Sequence, residues 1–203
     1  MSDFQSSRRF DRPGSTVPQA IWLCLLLMFI MSPMRSTALQ TEQASSVSHD
    51  GSRDFDFDLG VWRTDIVRRV HPLSGSNETM HLTGTVTVRK IWDGRAQVEE
   101  IVADGPKGRW EGMTVFLYDP QGRQWSMNFA NSAVGKIAPP MIGSFQNGRC
   151  VLIGTDTVDG RTVLVRAVWS EFAPTSHVYE ESYSADGGQT WEVNFTAHKT
   201  KLQ

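Results

Sequence analysis

From residue 93 onward the chain is cut at short intervals by Asp93-Gly94, Asp119-Pro120-Gln121-Gly122, Asn147-Gly148, Asp159-Gly160 and Asp186-Gly187-Gly188. Asp-Gly and Asn-Gly accept the positive φ that tight hairpin turns require. Between the cuts lie short runs rich in Val, Ile, Thr and aromatic residues, with no apolar stripe of helical period from Phe55 on. Such punctuation favours strands that each pair with the next. The spacing predicts about ten of them, near 59–70, 81–92, 95–103, 110–119, 123–131, 141–147, 149–158, 161–171, 176–184 and 189–200. The fold class is all-β, an antiparallel up-and-down meander. Closure into a barrel removes its edges, and a sandwich is the alternative. Ten Phe, seven Trp and three Tyr are too much aromatic surface for a disordered chain.

The turns also fix which side chains share a face. A three-residue loop at Pro120–Gly122 pairs Leu117 with Trp125, Val115 with Met127 and Met113 with Phe129. A two-residue loop at Asp159-Gly160 pairs Cys150 with Trp169, Leu152 with Ala167 and Gly154 with Val165. A loop at Asp186–Gly188 pairs Tyr183 with Trp191, Glu181 with Val193 and Tyr179 with Phe195. These faces are apolar or aromatic, with Glu181 as the one carboxylate, and are assigned to the interior. Thr114, Ser126, Asn128, Thr155, Arg166, Glu180, Glu192 and Asn194 then face outward. A single bulge would reverse a strand's parity.

The N-terminus reads as an address. Ala20 to Met31 is a run of twelve apolar residues. As a helix it reaches roughly 18 Å, well short of the ~30 Å bilayer core. Arg8, Arg9 and Arg12 precede it, and Ser36-Thr37-Ala38 follows with the small residues signal peptidase needs. Residues 1–38 are therefore predicted to be a signal peptide cleaved after Ala38, with a retained anchor as the alternative. No stable membrane span remains after cleavage. Residues 39–54, polar and Ser-rich, form a flexible linker, and 55–203 the barrel domain. Removing residues 1–38 takes four Arg and two Asp from 20 basic and 22 acidic side chains, leaving 16 and 20, a net charge of −4. An acidic domain without a basic stripe excludes nucleic acid as a partner. The localisation implied is periplasmic or secreted. Only Cys150 is left, so no intramolecular disulfide supports the fold even in an oxidising compartment.

The common catalytic and cofactor motifs are missing: no G-x-S-x-G, P-loop, G-x-G-x-x-G, H-E-x-x-H, C-x-x-C or EF-hand loop occurs. No cofactor is expected and no catalytic residue is assigned. A barrel assembles its site from several strands, so single residues are weighed instead. His198, near the end of the last strand, can either ligate haem iron or sit on the surface. Glu99, Glu100 and Glu181 lie within apolar or alternating strands. Glu181 among Tyr179, Tyr183 and Trp191 can act as a general acid, anchor a ligand, or simply bond to a Tyr hydroxyl. Asn77-Glu78-Thr79 and Asn194-Phe195-Thr196 are glycosylation sequons, the second in mid-strand.

The domain opens with Asp54-Phe55-Asp56-Phe57-Asp58-Leu59-Gly60-Val61-Trp62. Gly60-x-Trp62 resembles the G-x-W signature of lipocalins and their calycin relatives. The longer opening joins Tyr118-Asp119-Pro120, Gln124-Trp125-Ser126, Pro139-Pro140, Asp159-Gly160-Arg161 and the segment Ser184–Asn194. Together they look like a family of uncharacterised bacterial calycin-like barrels, over about residues 54–200. The resemblance implies a calycin-like barrel whose Trp62 closes one end, with Gly60 letting the chain bend there. It also implies that Arg166, Glu180 and Asn194 belong to the family pattern, against the outward parity read above. The chain lacks the lipocalin disulfide.

The expectation that follows is an exported barrel binding a small, mainly apolar ligand. Trp62, Met113, Val115, Trp125, Met127, Trp169, Tyr179, Tyr183 and Trp191 are expected to line the interior, with Glu181 as a polar handle. Three other functions stay open: a barrel enzyme of cyclase, isomerase or hydrolase type using buried carboxylates, a haem-binding barrel, and a filled barrel acting through its outer surface.

Overall fold

The computed structural model describes residues 49–202. The expected signal peptide and the linker residues before 49 lie outside the described residues. Ten strands form one closed antiparallel barrel: β1 (Gly60–Arg69), β2 (Thr79–Ile91), β3 (Ala96–Gly105), β4 (Gly108–Asp119), β5 (Gln124–Asn131), β6 (Met141–Gln146), β7 (Arg149–Val158), β8 (Arg161–Ala173), β9 (Ser176–Ser184) and β10 (Glu192–Lys201). Each pairs with the next, and β10 returns to β1, so no edge is left. No helix among the described residues is long and apolar enough to cross a membrane.

Turn chemistry explains where the register follows the sequence and where it departs. Asp159 and Gly160 both take positive φ, at 49° and 73°, as a two-residue hairpin turn requires. Cys150 accordingly opposes Trp169, Leu152 opposes Ala167 and Gly154 opposes Val165. The β4–β5 loop corrects the expected register. Asp119 pairs with Gln124, so four residues lie in the turn, with Arg123 at φ 51°. Tyr118 therefore opposes Trp125, and Phe116 opposes Met127. The slip of one residue turns β4 over. Thr114 and Phe116 point inward and are buried, while Met113 and Val115 move to the outer face, Met113 with 42% of its surface exposed.

The β9–β10 connection is a second correction. Tyr183 pairs with Glu192, which leaves Trp191 in the turn. The Asp186 carboxylate holds this turn, accepting from the Gln189 and Thr190 amides and from the Ser184 and Thr190 hydroxyls. A bulge between Val193 and Phe195 then shifts the register. It carries Asn194 into the interior, where it is only 6% exposed. Trp191 instead stacks outside the barrel against Arg166, whose guanidinium lies 4.4 Å from the ring centre. Arg166 and Glu180 keep the outward parity of β8 and β9, between inward-facing Ala167, Tyr179 and Glu181.

The barrel has one plugged end. The segment before β1 crosses it, ending in a single 3-10 turn at Asp56–Asp58. Phe55 is fully buried there, with ring centres 4.7 Å from Phe116, 5.1 Å from Trp125 and 5.0 Å from Trp169. Burying such a side chain contributes roughly 1.5–3 kcal/mol. Residues 49–51, grouped by composition with the linker, accept hydrogen bonds from the barrel: Trp125 Nε1 donates to the Gly51 carbonyl (2.8 Å), Arg123 to the His49 carbonyl (2.6 Å) and the Tyr118 hydroxyl to the Asp50 carbonyl. Gly60 enters β1 at φ 119°, a conformation open to glycine and strained for other residues. Trp62 follows, 2% exposed, with its indole N–H donating to the Asp58 carbonyl at 2.7 Å. Trp62 and Trp125 are thus parts of the plug, a correction to their expected place on the cavity wall.

Candidate functional site

The alternation of inward side chains would fill a small barrel. Here it leaves a cavity of about 460 Å³ above the plug, open at the far end. That volume lies within the roughly 300–1,000 Å³ of small-molecule sites. Apolar side chains make most of the wall: Ile66, Val86 and Ile101 from β1–β3, Met127 and Phe129 from β5, Val165 and Trp169 from β8, and Ala197 from β10. Trp169 and Tyr179 pack with ring centres 4.8 Å apart, and Trp110 stacks on Phe129 at 6.1 Å. The β5–β6 loop brings Val134, Lys136, Ile137 and Pro139 to the mouth.

Two polar clusters interrupt this wall. The floor cluster is built from Asp58 of the plug, Glu99 of β3, Thr114 of β4 and Lys199 of β10. Lys199 Nζ donates to both Asp58 oxygens, at 3.0 and 3.1 Å, and to Glu99 Oε2 at 2.6 Å. Thr114 donates to Glu99 Oε1 at 3.0 Å, and His177 Nε2 lies 3.1 Å from Asp58 Oδ1. All five residues are buried, the most exposed at 5%. Burial alone would raise the Asp58 carboxyl, but Lys199 and His177 outweigh it and hold it below its ordinary value. Burial alone would lower the Lys199 amine, but Asp58 and Glu99 outweigh it and raise it. The three ammonium protons are all accepted within the cluster, so the Lys199 charge is compensated there, while His177 Nε2 lies beside Asp58 without an aligned hydrogen bond.

The upper cluster centres on Glu181 of β9. Tyr179 Oη donates to Glu181 Oε2 at 3.1 Å, and Asn194 Nδ2 donates to Oε1 at 3.0 Å. Tyr183 Oη donates to Asp156 Oδ2 at 2.8 Å. Glu181 is half-buried and borders the cavity. Burial pushes its carboxyl up, with Asp156 adding to the effect, against the lowering influence of Asn194, Tyr179 and Arg68. Burial and the neighbouring carboxylates also raise both tyrosine hydroxyls, so they act as donors. The cluster can present a carboxyl group to whatever occupies the cavity.

Of the residues expected to line the interior, Met127, Trp169, Tyr179, Glu181 and Tyr183 border the cavity. Trp62 and Trp125 plug its base. Met113, Val115 and Trp191 are outside, for the turn and bulge reasons given above. The floor network was missed because Asp58 reads as part of an opening motif and Lys199 as the polar end of the chain. Its signal was parity, since Lys199 shares a face with Ala197. His198, the candidate haem ligand, is exposed on the outer face, between Asp65 and Val178. The buried histidine is His177.

No protein-family model matches the chain, and no curated protein matches it. Among solved structures it is similar to the S-type phycobiliprotein lyase CPES from Guillardia theta, at a TM-score of 0.51 and 10% identity, covering 75% of this chain and 92% of that one. It is also similar to EF1p2_mFAP2b bound to DFHBI, at 0.42 and 9%, covering 75% and 99%. A third is the redesigned β-barrel b11L5F_LGL, at 0.41 and 10%, covering 74% and 96%. At these identities the likeness to the lyase is one of fold alone, a closed β-barrel.

Proposed function

We propose that this protein is an exported barrel that binds a small, mainly apolar molecule in its interior, held at one point by Glu181. The observation that carries the reading is the cavity itself. It is walled by Ile66, Met127, Phe129, Val165 and Trp169, and Glu181 and its partners are the polar groups grouped on its upper wall. The floor charges are occupied with one another, which leaves the apolar wall and the Glu181 cluster to do the recognition. Calorimetric titration of the full chain with the neutral probe 6-phenylhexan-1-ol tests this. One-to-one binding is expected, and Val165→Trp, which places an indole in the cavity, is expected to abolish it. Equal binding by the blocked variant would place the probe elsewhere and sink the reading. Export is tested separately by sequencing the N-terminus of the protein recovered outside the cytoplasm, with Leu39 expected first.

A second reading draws on the raised Glu181 carboxyl. A carboxyl group that burial shifts upward beside an apolar cavity is placed for general acid catalysis. Carbon-13 titration of the glutamates distinguishes it: a Glu181 carboxyl titrating with the exposed glutamates removes the basis for an enzyme.

A further inference from the structure

The upper cluster is unbalanced in hydrogen bonding. Its donors are largely spent: the Tyr179 and Tyr183 hydroxyls and one of the two Asn194 Nδ2 hydrogens go to Glu181 or Asp156. Its acceptors are not. A carboxylate oxygen takes two or more hydrogen bonds, and each Glu181 oxygen receives one. Asn194 Oδ1 is buried with no partner, on a side chain only 6% exposed. Such an atom costs about 1–3 kcal/mol while unsatisfied.

The cluster is also unbalanced in charge. Among the described residues, neither Glu181 nor Asp156 has a basic group within 4.0 Å. Lys199 is committed to the floor. Arg68 and Lys136, the other basic residues bordering the cavity, are exposed at its mouth. A carboxylate head entering the cavity would therefore meet acceptors and like charge.

We propose that the cavity takes an organic cation, a protonated amine on an apolar or aromatic skeleton, with its ammonium on the Glu181 carboxylate and its skeleton against Trp169, Met127 and Phe129. The proposal rests on the cavity being a ligand site and adds the class of ligand. An ammonium brings the missing donors and the missing counter-charge together, and the aromatic wall suits a cation as well as an apolar chain.

Proton binding competes with the amine. The groups facing Glu181 are Tyr179 and Tyr183 on its own strand, Asp156 on β7, Asn194 on β10 and Arg68 on β1. Burial raises the carboxyl above its ordinary range, so lowering the pH protonates Glu181 and removes the charge that the ammonium needs.

The test uses three probes on one skeleton, 6-phenylhexylamine, 6-phenylhexan-1-ol and 6-phenylhexanoate, titrated calorimetrically into the full chain and into E181Q. At neutral pH the amine is expected to bind roughly tenfold or more tighter than the alcohol, the scale of a hydrogen bond to a charged group. The carboxylate is expected to bind weakest. In E181Q the amine should lose its advantage and fall to the level of the alcohol. If E181Q does not fold, the wild-type pH profile decides. The amine's advantage should shrink as the pH falls toward 4, while the alcohol's affinity stays level. Amine and alcohol binding equally, or the carboxylate binding best, overturns the cation proposal and leaves the cavity reading standing. Failure of all three to bind overturns both.

Discussion

Replacing Lys199 by Met tests the floor of the barrel. The ammonium lies 3.0 and 3.1 Å from the Asp58 oxygens and 2.6 Å from Glu99 Oε2, on a side chain 5% exposed. Met keeps most of the volume and removes the charge, leaving two buried carboxylates facing each other. Breaking a buried ion pair from one side costs about 3–5 kcal/mol. For a domain of this size each kcal/mol is about 2–4 °C, so the melting temperature should drop by roughly 6–20 °C. The assay is urea unfolding followed by tryptophan fluorescence, read as a change in midpoint at constant slope. The pH dependence has a definite sign. The lowered Asp58 carboxyl contributes stability above its ordinary 3.8, lost as the pH falls through its folded value. The raised Lys199 amine contributes below its ordinary 10.5, lost as the pH rises through its folded value. Wild type and Lys199→Met should therefore differ most between these limits and converge in acid. The triple variant Lys199→Met, Asp58→Asn, Glu99→Gln removes every charge of the trio and should recover most of the loss. A loss under about 1 kcal/mol in the single variant, or a triple variant no more stable than the single, would refute an internally compensated network.

Glu181→Gln should stabilise the empty protein at neutral pH. A carboxyl raised on folding destabilises as the pH climbs above its ordinary 4.5, so the gain should vanish below that value. A lower urea midpoint at pH 7 would mean that Glu181 serves the fold. Trp191→Ala should cost about 1 kcal/mol or less, the scale of an exposed cation–π contact, and leave 6-phenylhexan-1-ol binding unchanged. Loss of binding would put Trp191 back inside the barrel. Burial, with Asp54 adding to it, pushes the Cys150 thiol up to about 12. Iodoacetamide at pH 8 should therefore leave Cys150 of the folded protein unmodified and label it only in denaturant, as peptide mass spectrometry would show.

Strand order was legible in the sequence because Asp-Gly and Asn-Gly carry their φ requirement in the residues themselves. The β2–β3, β6–β7, β7–β8 and β9–β10 junctions and the β7–β8 register follow from them, and the remaining strands from their runs of β-branched and aromatic residues. The β4–β5 register does not, because the left-handed residue that lengthens its turn is Arg123, which carries no turn signal. The β9–β10 bulge is equally silent, and it is what puts Asn194 inside and Trp191 outside. Half of the expected lining followed these local errors or fell into the plug. The other half came from β5, β8 and β9, whose own alternation of apolar and aromatic residues marks the inward face. The ion network joins Asp58 to Glu99 and Lys199 across the closed barrel, and closure is a property of the whole sheet that no local pattern announces.

The most direct test of the central claim is to locate a bound molecule in the barrel. Intermolecular NOEs would be measured between 6-phenylhexan-1-ol and the isotope-labelled full chain. Contacts are expected from the probe to the Met127 methyl, the Trp169 indole and the Val165 methyls, all on the cavity wall. Contacts confined to Val134 and Ile137 at the rim, or to the outer-face Met113 and Ile142, would contradict it.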